Sequence, residues 1–323
     1  MKKLVLAAVL AVAAGVTSAA AQTYPSRQLS IIVPFAAGGP TDTIARIMAQ
    51  AMGQALGQTI IVENTTGAAG SIGVARVARA NPDGYTIGIG HWSTHVVNAA
   101  VYQLSYDVLN DFEPISLIAN NPQLVVSKNA VPAKNLTELI AWVKQNQDKI
   151  VQGTAGAGSA SHIGGIFFQK LTGTKFQFVP YRGTAPVMQD LLAGTIDLTF
   201  DQAANSLPQV RAGQIRAYAV TAKARIPSAP DIPTVDEAGL PGFYVAVWHA
   251  LWVPKGTPKP VIAKLVDAVH TALADPNVQK RLNDLGQEIP PRDQQTPDAL
   301  HAFHKAELDK WVPIIKAAGV KAE

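Results

Sequence analysis

The sequence predicts an α/β protein whose two α/β lobes are joined by two crossing strands. Three observations lead to this fold class. Short apolar runs alternate with helical patterns in a β-α-β-α-β order, this order starts again in the middle of the chain, and the last helical stretches have no strands beside them. A chain of 323 residues is also long enough for two domains that each bury a core.

The amino terminus has the pattern of a secretory signal peptide. Two lysines precede the apolar run 4–14, and the small residues 18–21 end in an A-x-A cleavage site. We therefore predict that residues 1–21 are a signal peptide, cleaved after Ala21, and that the mature chain works in the periplasm. The sequence contains no cysteine, which excludes a disulfide framework and thiolate metal sites.

The first β-α-β-α-β unit starts close to the predicted cleavage site. Residues 29–35 form the first predicted strand, and 41–56 form the first helix because apolar residues recur there at i, i+3 and i+4. The strand 59–63, the helix 71–79 and the strand 85–89 follow. Because strands connected through helices run parallel, we predict a mostly parallel sheet covered by helices.

The same order starts again in the second half of the chain. Helices and strands alternate over residues 138–147, 150–152, 162–171, 176–179, 187–193 and 196–200. Residues 260–286 and 297–318 are helical without strands beside them, so we expect these helices to pack on a sheet that is already formed.

Two segments are predicted to cross between the lobes. The β-like runs 115–119 and 124–127 are separated by Asn120-Asn121-Pro122, and the run 244–248 leads to another at 251–254. A cleft between such lobes is where ligands usually bind, because loops at the strand ends of both sheets point into it. The predicted lobes are residues 22–121 with 248–323 (lobe 1) and residues 122–247 (lobe 2).

Glycines follow the first predicted strand in the loop 34–42. Gly38 and Gly39 remove the obstruction of a Cβ, so backbone N–H groups and a helix amino terminus can approach an anion. The alternative is a tight turn in which Thr41 caps the helix and Asp42 lies in its first turn.

Two further loops lie between a strand and a helix. The loop 154–162 is rich in hydroxyls and free amides but matches neither G-x-G-x-x-G nor the P-loop pattern. Ser159 and Ser161 are candidate donors to a carboxylate, or helix N-caps. In the loop 180–186, Arg182 is a candidate for a bidentate carboxylate contact, or for an ion pair between loops.

Other candidate site residues follow strands at matching positions. Ser93 and Thr94 come after the strand 85–89, and Asp201 comes directly after the strand 196–200. Asp42 and Asp201 either hydrogen-bond an amino group of the ligand or cap and orient their loops.

Aromatic residues and histidines have alternative interpretations as well. Phe35, Trp92 and Trp248 form either an apolar wall of the cleft or part of the core. His301 and His304 are three residues apart on an apparently exposed helix, but no cysteine or third histidine is near them in the sequence, so we predict surface residues rather than a zinc site.

The loop motifs together resemble a known receptor family. They are Pro34-Phe35-x-Ala37-Gly38-Gly39-x-x-Asp42, Gly153-Thr154-x-Gly156-x-Gly158-Ser159-x-x-His162, Tyr181-Arg182-Gly183-x-Ala185-Pro186 and Pro233-Thr234-x-x-Glu237-x-Gly239. In this order they are similar to the solute receptors of tripartite tricarboxylate transporters, also called Bug receptors. The resemblance implies a type II periplasmic-binding-protein fold with a carboxylate-binding cleft, and a membrane partner made of one large and one small integral subunit.

The resemblance also implies which residues hold the ligand. In such receptors the loop of the first lobe binds one carboxylate, partly through ordered waters, and the second lobe binds the rest of the molecule. The predicted ligand-binding residues are Phe35, Ala37, Gly38, Gly39, Thr41, Asp42, Ser93, Thr94, Thr154, Gly158, Ser159, His162, Arg182, Thr184 and Asp201.

The sequence therefore predicts a periplasmic receptor that captures a small organic carboxylate and delivers it to a membrane transporter. We expect a monomer that is not an enzyme and has no cofactor or metal. The net charge of +4 includes no basic run, which argues against nucleic acid as a partner. An exported α/β enzyme such as a hydrolase, or a sensor for a signalling kinase, is the alternative, and a dicarboxylate, an aromatic acid and an amino acid remain equal candidates for the ligand.

Overall fold

The computed structural model describes residues 24–317 and 319–320, and the predicted signal peptide lies outside them. The described residues form a mixed sheet of nine strands covered by helices. The strands are β1 (Leu29–Val33), β2 (Ile60–Asn64), β3 (Thr86–His91), β4 (Phe112–Lys128), β5 (Val151–Thr154), β6 (Gln177–Pro180), β7 (Leu198–Gln202), β8 (Ile215–Val220) and β9 (Ala246–Pro254).

Helices lie on both sides of this sheet. They are α1 (Pro40–Leu56), α2 (Ser71–Ala78), α3 (Asn98–Val101), α4 (Leu136–Gln145), α5 (Ala160–Thr172), α6 (Thr184–Ala193), α7 (Ala203–Arg211), α8 (Lys259–Ala274), α9 (Pro276–Asp284) and α10 (Pro297–Ala317). A π-helical turn over Ser93–Val97 precedes α3. Within residues 24–317, no helix is long and apolar enough to cross a membrane.

Strand β4 connects the two parts of the sheet. Up to Pro122 it pairs with β9, and from Gln123 onward it pairs with β7 and β8. The first part has the order β2-β1-β3-β9-β4 and the second continues as β4-β7-β5-β6, with β8 beside β4. We call the two parts, with their helices, the first lobe and the second lobe; this is the predicted type II periplasmic-binding-protein fold.

Each lobe has its own apolar core. In the first lobe, Met48 of α1 and Val269 of α8 pack with Ile31 of β1, and all three are fully buried. In the second lobe, the rings of Phe168 and Phe200 lie 5.1 Å apart at the centre of an aromatic cluster. Separate cores allow the lobes to keep their packing when the cleft between them changes width.

Two features of the sheet differ from the sequence predictions. The strands of the predicted β-α-β units are parallel, since β1 pairs in this way with β2 and β3, and β5 with β6 and β7, but the whole sheet is mixed because β9 is antiparallel to β3 and β4. Residues 120–122 do not separate two strands, because they pair with β9 and β4 continues through them. Both differences arise from the crossing strands β4 and β9. A strand that passes between the lobes is not connected through a helix to its neighbours, so its direction is not set by either β-α-β unit.

Two predictions about helices also differ from the structure. The predicted helix 260–286 consists of α8 and α9, because the Asp275 carboxylate accepts a hydrogen bond from the Asn277 N–H at 2.7 Å and caps the second helix. Helix α7 and strand β8 were not predicted. Pro208 lies inside α7, where it interrupts the pattern that identifies a helix.

Candidate functional site

Four helices begin around one narrow cavity between the lobes. Helix α1 begins at Pro40, α5 at Ala160, α6 at Thr184 and α7 at Ala203, directly after Gln202. The cavity measures about 20 Å³, which is room for roughly one water molecule. Its lining residues are Phe35, Gly39, Pro40, Thr41, His91, Gln123, Ala155, Ser159, Ala160, Ser161, Thr184 and Gln202.

The helix amino termini at this cavity carry free backbone donors. Helices α1, α6 and α7 have no side chain that caps their first turn, while Ser159 caps α5 by accepting from the His162 N–H. The first N–H groups of a helix have no partner within the helix, and each amino terminus carries a partial positive charge of about half an elementary charge. The cavity is therefore suited to an anion.

No lining residue of the cavity carries a formal charge at neutral pH. The lining contains no Asp, Glu, Lys or Arg, and burial lowers the pKa of His91 to about 3, so its ring is neutral. The electrostatic preference of the cavity then comes from helix ends and neutral hydrogen-bond donors alone.

Asp42 shapes the loop before α1. Its carboxylate accepts hydrogen bonds from the Gly38 N–H at 2.8 Å, from Arg46 Nε at 2.9 Å and from Asn64 Nδ2 at 3.0 Å. Burial alone would raise the pKa of Asp42, but these bonds, that of Arg46 foremost, lower it below its usual value. Asp42 thus orients its loop, which is one of the two interpretations of the sequence.

Phe35 and His91 form one wall of the cavity. Their rings are stacked with centroids 4.7 Å apart, and His91 Nδ1 accepts a hydrogen bond from the Ser93 N–H at 3.0 Å. Because Nδ1 accepts, the proton of the neutral ring is on Nε2, which makes this atom a donor. Thr41 Oγ1 is hydrogen-bonded to Nε2 of His249, which lies against His91.

Seven lining residues are not among the predicted ligand-binding residues: Pro40, His91, Gln123, Ala155, Ala160, Ser161 and Gln202. Gln123 is 1% exposed and its Oε1 has no hydrogen-bond partner among the described residues. Gln202 Oε1 accepts from Asn121 Nδ2 at 3.0 Å, which leaves the Nε2 group of Gln202 as a donor. Gln123 directly precedes the apolar run 124–126, and a glutamine at the start of such a run is the sequence signal that could have identified it.

A second cavity of about 190 Å³ lies beside the first and shares Phe35 and Ala155 with it. We call it the outer cavity. It is lined by the loop 67–70 of the first lobe and by Arg182 and its neighbours in the second. The Arg182 side chain is exposed and, among the described residues, is in no salt bridge, while its carbonyl accepts from the Ala36 N–H across the lobes at 3.3 Å.

The structure brings five of the predicted ligand-binding residues to the narrow cavity: Phe35, Gly39, Thr41, Ser159 and Thr184. Arg182 lines the outer cavity instead. Ala37 and Gly38 are exposed and line neither cavity, because the loop turns its outer side to solvent there.

The remaining predicted residues lie behind the cavity walls. Ser93 and Thr94 are buried, and Thr94 Oγ1 donates to the His91 carbonyl at 3.0 Å. Thr154 Oγ1 accepts from the Gly156 N–H. The Gly158 N–H donates to His162 Nδ1 at 3.0 Å, so this pair stabilises its loop.

Asp201 is fully buried next to the cavity without lining it. Its Oδ2 accepts hydrogen bonds from Asn205 Nδ2 at 2.8 Å and from Ser206 Oγ at 2.6 Å. Burial raises the pKa of the Asp201 carboxyl from 3.8 to about 6, although these bonds oppose the shift.

The structure also settles the interpretation of several aromatic and histidine residues. Trp92 packs on Trp311 and Trp248 donates from Nε1 to Glu307, so both tryptophans belong to the core of the first lobe. The surface prediction is wrong for His304, which is buried because α10 packs over the π-helical turn and its Nε2 donates to the His95 carbonyl at 2.7 Å. Among the described residues, no group of three His, Cys, Asp or Glu side chains is placed to hold a metal ion.

Comparisons with known proteins agree with one another. A sequence model described as tripartite tricarboxylate transporter family receptor matches residues 44–320. The periplasmic binding protein BugD has a TM-score of 0.89 and 44% identity over 93% of this chain and 100% of its own. MatC from Rhodopseudomonas palustris, with bound malate, has a TM-score of 0.87 and 39% identity over 90% of this chain and 100% of its own. An R. palustris protein with adipate has a TM-score of 0.88 and 33% identity over 93% of this chain and 100% of its own.

Proposed function

The chain belongs to the tripartite tricarboxylate transporter receptor family, and we propose that it binds a small organic dicarboxylate between its lobes. It is a periplasmic solute receptor, not an enzyme, and it has a membrane transporter as its partner. Within this function we propose that the partner has one large and one small integral subunit and that the receptor acts as a monomer. Cleavage after Ala21, and lobes that divide at residues 121/122 and 247/248, are part of the same proposal.

One observation carries the carboxylate assignment. Four helix amino termini meet at a cavity whose lining has no charged side chain, and three of those termini lack a side-chain cap. A carboxylate there would accept from backbone N–H groups and would be stabilised by the helix ends, whereas an ammonium group would be repelled by them. Neutral donors such as His91 Nε2 and Gln202 Nε2 complete this set.

The outer cavity supports a second carboxylate at a distance from the first. Arg182 lines it, and the guanidinium is in no salt bridge with a described residue, so it is available to a ligand. Phe35 and Ala155 line both cavities, so a ligand that passes between them would extend from the helix ends to Arg182. MatC with malate and the R. palustris protein with adipate both hold dicarboxylates.

Binding requires the lobes to separate. The narrow cavity has room for about one water molecule, and a molecule of the size of malate is several times larger. The lobes touch directly at the Ala36–Arg182 hydrogen bond and where Tyr102 Oη donates to the Ala157 carbonyl at 2.6 Å. We propose that these contacts break when the ligand enters and form again around it.

A thermal-shift screen tests the proposed function. We expect dicarboxylates such as malate or adipate to raise the unfolding midpoint, whereas the neutral diamide of malic acid, which has nearly the same shape, does not. An acid present at about 100 times its dissociation constant adds roughly 2.7 kcal/mol to the free energy of unfolding. No shift with any dicarboxylate, or consumption of the acid by purified protein, would contradict the proposal.

Arg182→Ala tests the position of the second carboxylate. We expect affinity for dicarboxylates to fall by about tenfold to a hundredfold, since a hydrogen bond to a charged group contributes about 1.5–3 kcal/mol. Affinity for the matching monocarboxylate should change much less. Arg79→Ala is the control, because Arg79 is an exposed arginine outside both cavities. Isothermal titration calorimetry measures each affinity, and an equal loss for both acids would contradict a direct contact.

A further inference from the structure

A large groove lies between the lobes, apart from the two cavities of the proposed site. It has a volume of about 1070 Å³. The segment 222–228 of the second lobe forms one side, and α8, α9 and the segment 286–295 of the first lobe form the other. We call it the hinge groove, because Asn120 and Pro122 of the crossing strand β4 and Ala246 of β9 also line it.

The hinge groove and the narrow cavity lie on opposite faces of β4. Gln123 lines the narrow cavity, and Asn121 hydrogen-bonds Gln202, which lines it too. Asn120 and Pro122 line the groove. Because successive side chains of a strand point to opposite faces, this alternation places the groove behind the hinge.

Polar groups of the groove wall lack partners although they are buried. Gln287 is 3% exposed, and neither Nε2 nor Oε1 of its amide has a hydrogen-bond partner among the described residues. Gln295 is 6% exposed and its Oε1 has none either. Buried amides of this kind are normally satisfied, because leaving a polar group unpaired costs about 1–3 kcal/mol.

We propose that the hinge groove binds a small polyhydroxylated organic acid. The amide atoms of Gln287 and Gln295 are covered in this structure, so a ligand reaches them by parting the groove wall. A hydroxyl both donates and accepts, so a row of hydroxyls then matches the donor and acceptor of Gln287 and the acceptor of Gln295. The charged residues that line the groove are Lys223, Arg225, Arg292 and Glu288. Arg225 is paired with Glu237, so two unpaired cations remain beside the single carboxylate of Glu288. This surplus of positive charge selects an acid over a neutral sugar.

Occupation of the groove is coupled to closure of the cleft. Rotation about the hinge that narrows the front widens the back, and the narrow cavity is almost closed. The antiparallel bridge between Asn120 and Glu288 ties the groove wall directly to the hinge strand. A ligand that contacts both groove walls therefore stabilises the closed lobes. The groove ligand then raises the affinity of the protein for the cleft acid, and the cleft acid raises the affinity for the groove ligand by the same factor.

Calorimetric titration with gluconate, galactarate and glycerate tests the proposal on the full mature chain. We expect at least one of them to bind the parent protein, and Gln287→Met to weaken that binding at least tenfold. The variant should fold with an unchanged or higher unfolding midpoint, because it replaces an unpaired buried amide with an apolar group of similar size. Gln294→Met is the control, because Gln294 is an exposed glutamine outside the groove.

Competition separates this site from the cleft. A groove ligand should still bind, and bind more tightly, when the cleft is saturated with a dicarboxylate found in the thermal-shift screen. Displacement by that dicarboxylate, equal affinity of Gln287→Met and the parent, or no binding of any of the three acids overturns the proposal. Failure of every dicarboxylate to bind the cleft would contradict the proposed function instead, and the Gln287→Met comparison would still test the groove.

Discussion

Gly39→Val is expected to abolish binding of the dicarboxylate while the protein stays folded. A Cβ at Gly39 would lie 3.4 Å from the Ala36 carbonyl oxygen and 3.5 Å from Thr184 Oγ1, so the added methyl groups of valine would occupy the cavity. The valine side chain would keep the anion away from the helix ends, so we expect binding to weaken at least about a hundredfold, which is about 2.8 kcal/mol of binding free energy. Calorimetry measures the loss.

The backbone at Gly39 tolerates the change. Its φ of −79° and ψ of 171° are extended values that valine adopts readily, and Pro40 after it favours the same region. Circular dichroism should therefore match that of the parent. A Gly39→Val protein that binds as tightly as the parent would place the site elsewhere.

Gly38→Ala is the matched control in the same loop. Gly38 has a φ of +81°, and a Cβ there meets nothing within 4 Å. Alanine in this left-handed conformation costs about 1–2 kcal/mol of stability, but it leaves the cavity unobstructed. We expect a lower unfolding midpoint with affinity close to that of the parent, the reverse of the result at Gly39.

The contrast between Gly38 and Gly39 shows what the sequence alone can predict. A strand followed by glycines and a helix identifies the loop and its place at the sheet edge. Which residue of the loop faces the ligand depends on single backbone dihedrals, and here Asp42 and Asn64 set them through hydrogen bonds. The sequence therefore predicts the loop but not its inner face.

The unpredicted lining residues His91, Gln123 and Gln202 come from the hinge and from neighbouring strand ends. Gln123 lies in the crossing strand β4, and only the position of the second lobe shows that this buried polar residue faces the cavity. His91 ends β3, and its role follows from stacking on Phe35 and from the hydrogen bond to Nδ1. Such contacts join distant parts of the chain, so a local pattern can mark Gln123 as unusual but cannot show that it faces the cavity.

Asp201→Asn is expected to stabilise the protein at neutral pH. Burial raises the pKa of Asp201 to about 6 in the folded protein, while the unfolded chain titrates near the ordinary value of 3.8. Below pH 3.8 the Asp201 carboxyl is protonated in both the folded and the unfolded state, so it does not change the free energy of unfolding. Between about 3.8 and 6 the unfolded chain has released this proton while the folded protein still holds it, so the free energy of unfolding falls as the pH rises, and the loss reaches roughly 3 kcal/mol above about 6.

Asparagine removes this cost without removing the contacts. Its side-chain oxygen can accept from Asn205 and Ser206 as the carboxylate does. We expect the variant to be more stable than the parent by up to about 3 kcal/mol at pH 7, with a gain that becomes smaller toward pH 4. Urea unfolding at several pH values measures it, and subtraction cancels the titration of His91 and His304, which both proteins share.

Asp42→Asn provides a control of opposite sign. The pKa of Asp42 is lowered in the folded protein, so its ionised form stabilises the fold above its unfolded pKa, and this contribution disappears as the pH falls. We therefore expect Asp42→Asn to destabilise the protein most at neutral pH and least in acid.

If the difference in the free energy of unfolding between Asp201→Asn and the parent stays constant from pH 4 to 7, Asp201 ionises at its ordinary pKa. The surroundings of Asp201 behind the cavity would then be more hydrated than its burial indicates.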